Sequence, residues 1–217
     1  MTDLSRDSYN IAPRRRIFRC FGAAALGLAG LASKPLYAQT SAARGDGPNW
    51  PGTLQAHHRQ VVDAYAVNAG FPLGFAYTFL VPNESAAAVV VLRHEAFPIA
   101  LTSAMWEKYR IGASMKIIDP ESKAPATKNP FLRPKPGVLL VDDMALDRLL
   151  ERGVVFGACN IALMVQSKML AENAGVSAEK AAKEWAANVV PGITIIPSGT
   201  WGVNRAQEAG CTYCAGG

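Results

Sequence analysis

The stretch Gly153-Val154-Val155-Phe156-Gly157-Ala158-Cys159-Asn160-Ile161-Ala162-Leu163 sets the architecture of this 217-residue chain. Gly153 to Gly157 is a short apolar, β-branched run bounded by glycines, as expected of a strand covered on both faces. From Ile161 to Asn173 the pattern reads as a helix. Upstream, Ala87-Ala88-Val89-Val90-Val91-Leu92 is a second continuous apolar run, and Gly137-Val138-Leu139-Leu140-Val141 a third. Between 141 and 153 the spacing predicts a helix, with Asp142 or Asp143 as its N-cap. Met144, Leu146, Leu149 and Leu150 form its apolar face and Gly153 its stop. Downstream, Ala178 to Asn188 reads as another helix, and Ile193-Thr194-Ile195-Ile196 as a strand closed by Pro197. Strands alternating with helices predict an α/β fold: a single domain with a mostly parallel sheet flanked by helices.

Two regions resist this reading. His58 to Ala64 fits strand or helix, and Phe71 to Val81 fits either period. Residues 111–136 carry prolines at 120, 125, 130, 134 and 136, so regular structure cannot persist there. An excursion of that length is expected to be a lid or a subunit contact.

The N-terminus has the layout of a secretory signal. Pro13-Arg14-Arg15-Arg16-Ile17-Phe18-Arg19-Cys20 is its basic region, Phe21 to Ala32 its apolar run, and Leu36-Tyr37-Ala38 a small-residue cleavage site before Gln39. As a helix the apolar run would span roughly 18 Å, against about 30 Å of bilayer hydrocarbon. No stable membrane span is expected after cleavage. Arg15, Arg16 and Phe18 resemble the twin-arginine signal, with Arg14 and Arg19 as departures. That resemblance implies the twin-arginine export machinery as a partner and a periplasmic destination for an already folded protein. The chain divides into a signal over 1–38, a linker over 39–53 and an α/β domain over 54–217.

The formal charge of +5 is an N-terminal property. Residues 1–38 hold six of the 22 basic groups and two of the 17 acidic ones. The remainder is close to neutral, with no basic stripe, and so lacks the field that attracts nucleic acid.

Taken in order, Val89-Val90-Val91-Leu92-Arg93-His94, the stretch 153–163 and Pro191-Gly192-Ile193-Thr194-Ile195-Ile196-Pro197-Ser198-Gly199 resemble the DsrE/DsrF-like family over roughly residues 57–214. These are small α/β proteins associated with sulfur transfer. The resemblance implies a Gly-led strand ending in a sulfur-carrying cysteine, here Cys159, and self-association into a homo-oligomer. The chain departs from the pattern in two ways. It carries an export signal, and it lacks the basic residues that follow the cysteine helix in several members.

Cys159 is the first candidate for chemistry on its own terms. It ends a parallel strand, where open α/β sheets place ligands, and it opens a helix, whose N-terminus favours thiolate. The competing reading is a buried structural cysteine. His94 also ends a strand. It is a base or thiolate partner for Cys159 if the two strands are neighbours, or a histidine with a structural role. Ser198-Gly199 opens a helix after a strand, either as an anion-binding turn or as a plain N-cap. His57 and His58 would point to opposite faces of a strand.

Cys211-Thr212-Tyr213-Cys214 lies at the C-terminus. The pair is a redox dithiol, a disulfide locally or to Cys159, or half a metal site. One pair supplies two of the four ligands zinc usually takes, so a metal there is not favoured and no cofactor is expected. The function expected from all of this is an exported DsrE-like thiol or persulfide carrier using Cys159. The alternative is a non-catalytic oligomeric scaffold, or a small-ligand or metal-binding protein whose cysteines are structural.

Overall fold

The computed structural model describes residues 49–217. The expected export signal with Arg15, Arg16 and Phe18, and residues 39–48 of the expected linker, lie outside the described residues.

Five strands form one sheet: β1 (His58–Ala64), β2 (Ala86–Leu92), β3 (Val155–Cys159), β4 (Ile193–Ile196) and β5 (Thr212–Ala215). Their order is β4-β3-β2-β1-β5, and every pairing is parallel. The fold is therefore α/β, with a wholly parallel sheet flanked by helices. His58–Ala64 is a strand because Val61, Val62 and Ala64 are buried in the middle of the sheet. Val89, Val90, Val91 and Leu92 of β2 are fully buried, which is why that run is continuously apolar.

Alternating side chains divide between two cores. Val62, Val90, Leu92, Phe156 and Ala158 join the larger one. It is filled from α1 (Phe71–Leu80), α2 (Ser103–Lys108), α4 (Leu146–Glu151), α5 (Asn160–Leu170) and α6 (Ala178–Ala187), with α3 (Ile111–Met115) beside α2. Val61, Val89, Val91 and Ile196 face the smaller one, covered by α7 (Gly199–Glu208) and Trp50. The connections from β1 to β4 advance in one direction. The connection from β4 to β5 reverses it, and keeping the right-handed crossover then places α7 on the opposite face.

Trp50 belongs to the smaller core although the sequence places it in a linker. Its ring lies over Gly157, where a Cβ would come within 2.4 Å of Trp50 Cζ2. Glycine in β3 is thus required by a close approach.

Three local expectations are corrected. Gly137–Val141 is not a strand. β2 and β3 are direct neighbours, so no slot exists between them. The run is instead folded into a loop in which Asp142 Oδ1 accepts the Gly137 N–H at 2.7 Å. Leu139 turns into the core while Leu140 remains 82% exposed. The following segment is one 3-10 turn over Asp142–Met144 and then α4. Neither Asp142 nor Asp143 caps α4; its N-cap position is Ala145, without a side-chain hydrogen bond. Gly153 does stop the helix, at φ +81°. β5 and α2 are elements the sequence did not announce. Among the described residues no helix is long and apolar enough to cross a membrane.

Candidate functional site

The carboxyl ends of β1 to β4 open into one cavity of about 1300 Å³. This is where open α/β sheets place ligands. The segments after β1 (Val67 to Ala69), β2 (Arg93 to Glu95) and β4 (Ser198 to Thr200) line it, as do Cys159, Ile161 and Ala162 at the end of β3. Two of the far walls are the 137–144 loop and the proline-rich excursion, through Met115 to Ile118, Pro130 and Phe131. The excursion is anchored by buried Asn129. Its amide donates to the carbonyls of Ile99 (2.9 Å) and Leu101 (2.7 Å), and its Oδ1 accepts the Phe131 N–H at 3.0 Å. These bonds let an irregular segment serve as a fixed wall.

Cys159 forms part of the floor. It is 5% exposed, and its Sγ accepts the Ala162 N–H at 3.4 Å. The thiol therefore occupies the N-cap of α5. Arg93, the residue that follows β2, lines the same cavity.

Arg93 is held from several sides. Its Nε and Nη2 donate to Asp63 Oδ1 and Oδ2 at 2.6 and 2.9 Å. Asp63 is 4% exposed and also accepts from the Tyr213 hydroxyl at 3.0 Å. The Arg93 guanidinium lies 5.3 Å from the centre of the Tyr65 ring, and the Tyr65 hydroxyl donates to the Gly217 carbonyl. The C-terminal strand is thereby latched to the Arg93–Asp63 pair. The bonds to Asp63 push the Arg93 guanidinium further up, although burial opposes this. Burial, followed by the bond to Asp63, also pushes the Tyr213 hydroxyl up. Three of the five N–H donors of Arg93 remain outside the pair with Asp63.

Arg93 was missed by the sequence reading, which chose its neighbour His94. The available signal was Asp63, a carboxylate inside an apolar strand that needs a cation on the adjacent strand.

His94 lines the same cavity as Cys159, as expected of neighbouring strands, but Cys159 Sγ is bonded to backbone and not to its ring. His94 sits in the left-handed region at φ +47°, with its carbonyl accepting from Gln166 Nε2. Asn68, Ala69 and Lys116 are left-handed too, and all line the cavity. Four of the seven non-glycine residues with positive φ among the described residues thus surround one site, a concentration of local strain typical of ligand-binding sites.

Ser198 is the N-cap of α7, its Oγ accepting the Trp201 N–H at 3.2 Å. Gly199 passes beneath the Arg93 side chain, and Ser198, Gly199 and Thr200 all border the cavity.

The remaining cysteines stand apart. Cys211 packs into the smaller core and Cys214 against the larger, so they face opposite sides of the sheet. Both are free thiols, as is Cys159. From β3 to β5 is three strand spacings, and Cys159 lies three residue rows beyond Cys214. The separation is about 17 Å. That is far beyond bonding distance, so Cys159 and Cys214 do not exchange sulfur directly in this arrangement. His57 and His58 do not diverge as the strand period predicts. His57 precedes β1, and its Nδ1 lies 3.3 Å from His58 Nε2. Among the described residues no three His, Cys, Asp or Glu side chains converge to hold a metal.

No protein-family model matches this chain, and no curated protein matches it.

Proposed function

We propose that this protein is an exported DsrE-like sulfur carrier in which Cys159 accepts and passes on a single sulfane sulfur. The observation that carries the reading is the placement of Cys159 Sγ. It lies on the floor of an open cavity that Arg93 also lines, at the N-cap of an 11-residue helix. A thiolate there attacks the outer sulfur of a donor persulfide. The new bond joins Cys159 Sγ to that sulfur, and the bond to the donor's inner sulfur breaks. The donor leaves as a thiolate and takes the proton released on ionisation. No external oxidant or reductant is consumed. The free donors of Arg93 are suited to the terminal persulfide anion.

The test is incubation with a low-molecular-weight persulfide, followed by mass analysis with and without reductant. One reducible sulfur per chain is expected, and none on Cys159→Ser, whose hydroxyl still suits the N-cap. Equal loading of the variant contradicts the reading.

A further inference from the structure

The cavity is larger and more apolar than the transfer of one sulfur atom requires. Its volume of about 1300 Å³ exceeds the roughly 300–1,000 Å³ usual for small-molecule sites. The described residues include eight large exposed apolar side chains, and five of them (Phe71, Ile118, Leu140, Val165 and Met169) line this one cavity. Apolar exposure is thus gathered at a single concave place, the arrangement that marks a binding site. At the sheet end stand Arg93 with its remaining donors, Glu95, the hydroxyls of Ser198 and Thr200, and Gln166, while Ser114 and Lys116 lie on the far wall.

We infer that the cavity is the binding site for a small amphipathic molecule, an acyl-type carboxylic acid with its head at Arg93 and Ser198 and its apolar body along Val165, Met169 and Leu140. Concavity selects this occupant over a second copy of the chain, because a protein face laid over the mouth would leave the interior unfilled. The Arg93 end selects an anionic head over a neutral one. The site does not depend on the sulfur chemistry, so binding should persist in Cys159→Ser.

The experiment is a fluorescence titration of the purified protein with cis-parinaric acid, then displacement by decanoate or its methyl ester. Saturable binding at one site per chain is expected, with the ester at least about tenfold weaker than the carboxylate. Val165→Asp and Met169→Asp change exposed positions, so folding should be retained while binding falls by at least about tenfold. Sedimentation of each variant runs alongside. The inference is overturned by absence of saturable binding or by equal affinity for acid and ester. Rim charges that leave binding unchanged also overturn it. So does a dimer, abolished by those charges, that excludes the probe.

Discussion

The side chain of Arg93 lies across the α-carbon of Gly199, so close that a Cβ there would meet Arg93 Cδ at 2.4 Å and Cβ at 2.5 Å. Two elements far apart in sequence, the end of β2 and the start of α7, are thereby interlocked beside Cys159. Because the near atoms include the Arg93 Cβ, rotation of the arginine stem alone does not relieve the contact.

Gly199→Ala should therefore displace Arg93 from Asp63 while leaving the fold intact. Overpacking of this kind costs about 1–3 kcal/mol. The expected outcome is a lowered melting temperature and several-fold slower sulfur loading. Thermal denaturation and a loading time course check the two effects separately. Full-rate loading by the variant would detach Arg93 from the chemistry.

Gly157→Ala places a methyl group within 2.4 Å of the Trp50 ring and 2.9 Å of Ile196 Cδ1. The ring has to move off the sheet, at about 1–3 kcal/mol. Denaturant unfolding should report the loss, and tryptophan emission should shift to the red as Trp50 gains solvent.

The contrast between these glycines and the 137–141 run shows what was legible in the sequence. β2, β3 and β4 could be read because residues buried on both faces of a parallel sheet must be apolar without interruption. Gly137–Val141 has the same composition for another reason. Its residues are divided between the core, through Leu139, and the cavity mouth, through Leu140. Composition alone does not separate these uses. β5 escaped because a four-residue edge strand, mostly exposed and rich in polar atoms, carries almost no periodic signal. Cys159 was legible because its place at a strand–helix junction is a local property. Arg93 was not, because its role depends on Asp63, Gly199 and Tyr213, which only the sheet order brings together.

The C-terminal thiols should be poor nucleophiles. Burial pushes both the Cys211 and Cys214 thiols up, with Arg59 partly offsetting this at Cys211. At neutral pH little thiolate forms, so native-state alkylation of both should be slow and should accelerate as pH rises. All three described cysteines should react once the chain is unfolded. Mass should not change on reduction, because Cys211 and Cys214 face opposite sides of the sheet. A reductant-sensitive 211–214 bond would contradict this geometry.

Glu184 provides a pH-dependent tie between α6 and α2. Its Oε2 accepts from Lys108 Nζ and from the Tyr109 hydroxyl, each at 2.6 Å. The bond from Lys108, then that from Tyr109, hold the carboxyl below its ordinary value. A depressed folded pKa gives stability that is present above the ordinary carboxylate range. It is lost as pH falls through the folded value. Tyr109 has the opposite sign: burial and then Glu184 push it up, so its contribution is present below the ordinary tyrosine range and is lost as pH rises from there through the folded value. Urea midpoints measured against pH should fall on the acid side. Glu184→Gln should flatten that limb.

The central claim is that Cys159, and not the C-terminal pair, carries the transferred sulfur. Site-resolved mass spectrometry of the native protein, alkylated after brief exposure to a persulfide donor, tests it most directly. The account predicts a reducible extra sulfur on the peptide containing Cys159, with Cys211 and Cys214 unmodified. Sulfur on Cys211 or Cys214 with Cys159 untouched would contradict it.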